Sequence, residues 1–136
     1  MRSLILLPLL GLAACAQTPA DTARAAQSAQ AAQVGLDKAL SGLTPGETTS
    51  CIPLTYRSAH TEVYGPTILY RVNRGLLYRT DTAGGCEGAS RGDILVSREP
   101  EGRPCKGDIV TTVQPTSRAF TGSCSFGDFT VYRRRP

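Results

Sequence analysis

Thr67-Ile68-Leu69-Tyr70-Arg71-Val72-Asn73-Arg74-Gly75-Leu76-Leu77-Tyr78-Arg79-Thr80 is the stretch that decides the fold. Two runs of β-branched, aromatic and leucine side chains flank Asn73-Arg74-Gly75. A three-residue connection with glycine where a positive φ is wanted is a hairpin signal. If Val72 opposes Leu76, then Tyr70 opposes Tyr78 and Ile68 opposes Thr80. One face of the hairpin then carries paired aromatics, while the other carries Leu69 opposite Arg79 and Arg71 opposite Leu77.

Outward from the hairpin the chain stays in short runs rich in Val, Ile, Thr and Tyr, punctuated by Gly, Pro and Asp, an all-β pattern. Gly65-Pro66 turns the chain into the hairpin. Upstream, Ile52 to Arg57 reads as a strand whose Pro53 suits a sheet edge. Downstream, Arg91-Gly92-Asp93-Ile94, Lys106-Gly107-Asp108-Ile109 and Phe126-Gly127-Asp128-Phe129 each put Gly-Asp directly before an apolar alternation. Glycine permits a turn and aspartate can hydrogen-bond the backbone two residues on. Each pair is therefore expected to launch a strand, over Asp93 to Ser97, Asp108 to Val113 and Asp128 to Tyr132. About six short strands with no helix between them predict a small antiparallel barrel or sandwich over residues 51–136.

At 136 residues the chain has room for one small domain and a tether. The tether falls in 15–50, where Ala, Gln, Ser and Thr dominate as far as Leu43. Thr18-Pro19-Ala20-Asp21 has the form of a helix start: a hydroxyl at the N-cap, proline at the first helical position and a carboxylate three residues past the cap. In the alanine-rich run that follows, Leu36, Leu40 and Leu43 fall at helical spacing, although Gly35 costs ~1 kcal/mol relative to alanine. The segment reads as a helical spacer or as a frayed linker, and Thr44-Pro45-Gly46 ends it.

Ser3 to Leu12 is an apolar run behind a single Arg2, about the length of a secretory h-region and roughly half of what a bilayer-crossing helix needs. Leu12-Ala13-Ala14-Cys15 follows and resembles the lipobox of bacterial lipoproteins. The resemblance implies removal of residues 1–14 as a signal peptide, a diacylglycerol on the Cys15 thiol and acylation of the new amine. Such an anchor has several acyl chains and holds where a single chain would not. An aspartate after the cysteine signals retention at the inner membrane; Ala16 stands there, which implies the outer membrane, with the domain facing the periplasm.

With Cys15 lipidated, Cys51, Cys86, Cys105 and Cys124 remain, and an even set in an exported chain reads as two disulfides. If the strands alternate up and down, Cys51 and Cys105 begin strands at one end of the sheet, while Cys86 and Cys124 lie at the other. That predicts Cys51–Cys105 and Cys86–Cys124. Such bridges are worth ~2–4 kcal/mol each, a large share of the stability of a small domain with no Trp. The chain has no Cys-x-x-Cys pair and a single histidine, His60, so neither a metal site nor dithiol chemistry nor a cofactor is expected.

Catalytic groups are sparse. His60 sits in the polar run Ser58-Ala59-His60-Thr61-Glu62 and reads as a surface residue; no Gly-x-Ser-x-Gly elbow exists to anchor a nucleophile. The carboxylates of Glu62, Asp81 and Glu87 are explained first as turn residues. No residue is assigned to catalysis. The formal net charge of +4 falls to +3 without Arg2 and suits anionic envelope components such as lipopolysaccharide or peptidoglycan, while the exported address argues against nucleic acid. The candidate ligand face is Arg57, Arg71, Arg74 and Arg79 with Tyr70 or Tyr78 nearby, extended by the tail Arg133-Arg134-Arg135. Arginine forks suit phosphate and carboxylate, and tyrosine faces suit sugar rings.

Cys51-Ile52, Thr67-Ile68-Leu69-Tyr70-Arg71, Tyr78, Gly85-Cys86-Glu87-Gly88, Cys105-Lys106-Gly107-Asp108-Ile109 and Cys124-Ser125-Phe126-Gly127-Asp128-Phe129 together resemble a family of small exported proteobacterial proteins. Thr80 and Glu87 stand where that family often has asparagine and proline. The resemblance implies a cysteine-containing domain and brings no activity with it. The chain is thus expected to be a lipid-anchored envelope protein with a non-enzymatic binding or structural role. A periplasmic enzyme or enzyme inhibitor is the alternative.

Overall fold

A computed structural model describes residues 18–54 and 59–135. Cys15, with the signal and lipobox, and Arg57 lie outside the described residues. Helix α1 (Pro19–Leu40) begins as its sequence suggests, with the Asp21 amide donating to Thr18 Oγ1 at 3.2 Å and Pro19 at the first helical position. Of the spacer and the frayed linker, the chain forms the helix; its 22 residues span about 33 Å. Its first half is exposed. Near its end, Leu36 buries against Leu69 and Leu77 of the sheet, with Leu40, Leu43, Tyr64 and Tyr132 around them. A Cβ on Gly35 would lie 2.8 Å from the Tyr64 ring, so the glycine that weakens the helix is what lets it approach the sheet.

The strands are β1 (Leu43–Thr49), β2 (His60–Tyr64), β3 (Thr67–Asn73), β4 (Leu76–Gly84), β5 (Ile94–Ser97), β6 (Ile109–Val113) and β7 (Phe120–Arg134). They pair antiparallel in the order β2-β3-β4-β7-β6-β5, and β1 also pairs with β7. Strands β4 to β7 have Greek-key order, a meander of β5, β6 and β7 returning beside β4. The sheet curls into a half-barrel, an all-β architecture with one helix on its outer face. Strand β7 is the spine. One flank pairs along β4; the other pairs with β6 through residues 120–125 and with β1 through 129–134.

From Ile68 to Arg71 the hairpin register is the one the sequence predicts: Tyr70 opposite Tyr78, Ile68 opposite Thr80, Leu69 opposite Arg79 and Arg71 opposite Leu77; next to the turn a bulge shifts it, so that Asn73 rather than Val72 lies opposite Leu76. Four elements differ from expectation. Strand β1 forms through Pro45-Gly46 because proline needs no ladder donor at a sheet edge, and the register shifts between Pro45 and Thr48. His60 to Tyr64 is an edge strand rather than a polar loop. The described part of the run after Cys51, residues 52–54, is not a strand: Cys51 makes a single bridge with Cys105, and Ile52 is buried with its amide donating to the Pro104 carbonyl, while residues 55–57 lie outside the described residues. Gly92-Asp93 and Gly107-Asp108 do launch β5 and β6 from positive φ, but Gly127-Asp128 lies inside β7. A Cβ on Gly127 would sit 2.5 Å from the Asp81 carbonyl oxygen, where β4 shifts register against β7.

The inner face holds the main core of Ile52, Ile68, Tyr70, Tyr78, Val110, Phe126, Phe129 and Val131. Tyr70, Phe126 and Phe129 meet edge-on or tilted, with centroids 5.6–6.3 Å apart. The disulfides are Cys51–Cys105 and Cys86–Cys124, as predicted, closing loops of 54 and 38 residues. The chain-entropy account makes each worth about 4 kcal/mol. The alternating strand directions that motivated the pairing hold from β2 onward. Cys124, however, lies within β7 opposite Gly84 rather than at a strand start.

Candidate functional site

The hairpin places its arginines and tyrosines on opposite faces. Tyr70 and Tyr78 are cross-strand partners buried in the inner core, so neither offers a ring face to a sugar beside the arginines. Arg71 and Arg79 point to the outer face that carries α1, and both are already committed.

Arg71 is a staple between two strands and the helix. Its Nε donates to Glu62 Oε1 at 2.6 Å and its Nη2 to Glu62 Oε2 at 3.3 Å. The same Nη2 donates to the Ala39 carbonyl at 3.0 Å, satisfying one of the acceptors that a helix C-terminus leaves open. The pair exists because His60 lies opposite Arg71 in the β2–β3 register, which puts Glu62 one same-face position along. Tyr64 completes it by donating its hydroxyl to Glu62 Oε2 at 3.1 Å. The hydrogen bonds from Arg71 hold the Glu62 carboxyl below the usual carboxylate range, outweighing its partial burial. Burial, reinforced by the Glu62 charge, pushes the Tyr64 hydroxyl up.

Arg79 pairs with Asp81, two residues along its own strand, through contacts of 3.1 to 3.3 Å. Thr67 donates to the same carboxylate at 2.6 Å. Burial works against the Arg79 charge, and hydrogen bonding with Tyr132 and Asp81 outweighs it, so its pKa is pushed up. Both arginines therefore spend their donors within the fold.

The other end of the sheet is different. Arg74 is exposed at the tip of the β3–β4 hairpin, and β7 brings the C-terminal arginines beside it. Arg133 lies opposite Leu76, and the Arg134 amide donates to the Gly75 carbonyl at 3.0 Å. Arg133, Arg134 and Arg135 are exposed, and among the described residues none of these four guanidinium groups has an ion-pair partner. Lys38, in the last turn of α1, is exposed too; the helix runs into β1, whose Leu43 lies opposite Arg134. Fixed cations gathered at one turn suit a ligand with closely spaced anionic groups. The tail was visible in the sequence; its place against the hairpin follows from the length of β7.

A groove of about 900 Å³ runs between α1 and the sheet. Ala25, Ala29, Ala32 and Leu36 wall it on the helix side, Tyr64 and Pro66 on the other, with Arg79, Asp81, Glu87 and Arg91 around it. His60 is not among its lining residues, so the groove brings no histidine and carboxylate together for acid–base work. At the sheet's side, Glu101 Oε2 lies 3.6 Å from Cys105 Sγ and 4.0 Å from Cys51 Sγ, but sulfurs joined in a disulfide offer a metal no thiolate. No helix among the described residues is long and apolar enough to cross a membrane. Compared with protein-family models, with curated proteins and with solved structures, the chain matches none.

Proposed function

We propose that the protein is a lipid-anchored, non-enzymatic module of the bacterial outer membrane that faces the periplasm and holds a polyanionic envelope component at the arginine-bearing end of its sheet. The contrast among its arginines carries this reading. Arg71 and Arg79 are consumed by Glu62 and Asp81, whereas Arg74, Arg133, Arg134 and Arg135 are exposed and unpaired around one turn. Guanidinium forks take phosphate and carboxylate bidentately, the groups that lipopolysaccharide and peptidoglycan present in close succession.

The anchor rests on Leu12-Ala13-Ala14-Cys15, and the course of α1 supports it. The helix cap Thr18 comes three residues after Cys15. From its docked end at Arg71 the helix runs back past the β2–β3 turn, where Ala32 meets Gly65, and continues beyond it. An anchor at Cys15 therefore belongs to the end of the domain opposite the four arginines, which leaves them facing the periplasm.

Sedimentation with purified peptidoglycan and, separately, lipopolysaccharide tests the reading. The wild type should pellet with one of them, and Arg74→Gln/Arg133→Gln/Arg134→Gln/Arg135→Gln should not. Equal pelleting of both proteins would sink the basic-end assignment. Globomycin should make the uncleaved precursor accumulate, and ordinary processing under the drug would remove the anchor.

A further inference from the structure

Helix α1 packs on the outer face through Leu36, which meets Tyr64 of β2, Leu69 of β3 and Leu77 of β4 in a cluster that contains no residue of β5 or β6. Over β5 and β6 that face carries large apolar side chains around Thr111, Ser123 and Ser125. Ile94 and Val96 of β5 share it with Ile109 and Val113 of β6, and Phe120 opens β7 directly opposite Val113. These include four of the six exposed large hydrophobic side chains among the described residues, Phe120 being 67% exposed. Single exposed hydrophobics are ordinary, but a contiguous group on one face marks a contact surface.

The surrounding charge says what it contacts. Arg91 precedes β5, Arg98 follows it, and Arg118 sits in the turn before Phe120; all three are exposed and none has an ion-pair partner among the described residues. The adjoining carboxylates are half-buried and engaged within the fold: Asp93 accepts from Thr121 at 2.6 Å and Glu99 from Ser97 at 2.8 Å. A two-fold contact between copies would set these cationic rims against each other. An anionic lipid surface complements both the apolar centre and the rim. The position agrees. Phe120, Ile94 and Val113 lie at the end of the sheet shared with Arg91, which lines the groove together with Arg24 near the start of α1.

We infer that the patch of Ile94, Val96, Ile109 and Phe120 rests on the anionic bilayer that holds the Cys15 anchor, a second membrane contact that fixes the orientation of the domain. The orientation rests on the proposed anchor; the patch itself does not. The chain contains no Trp, so Phe120→Trp and Arg74→Trp each give a protein with one emitter. Full-length protein, with its acylation measured by intact mass, is bound to vesicles of phosphatidylethanolamine and phosphatidylglycerol carrying brominated acyl chains.

The Phe120→Trp emission should shift to the blue and lose most of its intensity to the bromines, while the Arg74→Trp emission stays unquenched. Quenching in phosphatidylcholine vesicles should be weaker. Absence of quenching at position 120, equal quenching at both positions, or equal quenching in phosphatidylcholine overturns the proposal. So does a lipid-free blue shift that tracks dimer formation in sedimentation, which would assign the patch to a second copy. Protein without acyl mass whose Phe120→Trp emission is still quenched would refute the anchor and keep the patch.

Discussion

Arg71→Ala separates an arginine held for architecture from one held for a ligand. The substitution removes two charge-assisted hydrogen bonds to Glu62 and one to the Ala39 carbonyl, and leaves a largely buried carboxylate without its partner. Hydrogen bonds to charged groups contribute about 1.5–3 kcal/mol, and breaking a fully buried pair costs about 3–5 kcal/mol. The Glu62 and Arg71 side chains remain 19% and 24% exposed, so a cost of about 2–3 kcal/mol is expected. For a chain of this size that is a fall in Tm of roughly 6–18 °C, at ~3–6 °C per kcal/mol. A double-mutant cycle with Glu62→Gln should give a coupling of about 1–2 kcal/mol, because each single change already removes the shared ion pair. Amide exchange should quicken in the last turns of α1, which lose their link to β3. Binding to the anionic ligand should be unchanged below the melting transition. An unaltered Tm with weakened binding would refute the reasoning and return Arg71 to the ligand face.

The Glu62 carboxyl is held below its ordinary value of 4.5, so the pair's contribution is fully present above that value and is lost as pH falls through the lowered folded value. The Tm difference between wild type and Glu62→Gln should shrink between pH 6 and pH 3, and a difference that grows on acidification would reverse the sign of this account. Thr80 is fully buried, and its hydroxyl has no hydrogen-bond partner among the described residues, so Thr80→Val should raise stability by about 1 kcal/mol in urea unfolding. Gly127→Ala forces a methyl against the Asp81 carbonyl and should cost about 2–3 kcal/mol in the same assay, far more than an exposed Gly→Ala change. Cys86→Ser/Cys124→Ser should cost about 4 kcal/mol, seen as a lower urea midpoint.

The hairpin was readable from sequence because alternation and a glycine-bearing turn are both local and agree with each other; the register from Ile68 to Arg71 follows the reading, although a bulge next to the turn puts Asn73, not Val72, opposite Leu76. Strands β1 and β2 were not readable. Leu43 to Thr49 carries Pro45-Gly46, a local stop signal that a sheet edge overrides, and His60 to Tyr64 is too polar to stand out from a loop. Missing β2 hid Glu62, and without Glu62 the arginine beside it looked available. Arg79 and Asp81 are two residues apart on β4, but the run legible in the sequence ended at Thr80 and Asp81 read as a turn residue, which hid that pairing as well. Gly127-Asp128 misled because Gly-Asp signals a turn wherever the chain is free to make one. Here its neighbours hold the strand straight through, and glycine serves a close backbone approach instead. The gathering of Arg74 with Arg133, Arg134 and Arg135 depends on β7 running unbroken to the hairpin turn, a long-range pairing that no local pattern encodes.

The claim that the unpaired sheet end takes the ligand is tested most directly by a residue-resolved titration of isotopically labelled protein with a soluble muropeptide and, separately, with the phosphorylated inner-core oligosaccharide of lipopolysaccharide. Amide shifts concentrated at residues 73–75 and 133–135, weakening as salt is raised, are the expected result for one of the two. Shifts concentrated at Glu62, Arg71 and Arg79, or along the groove beside α1, would contradict it.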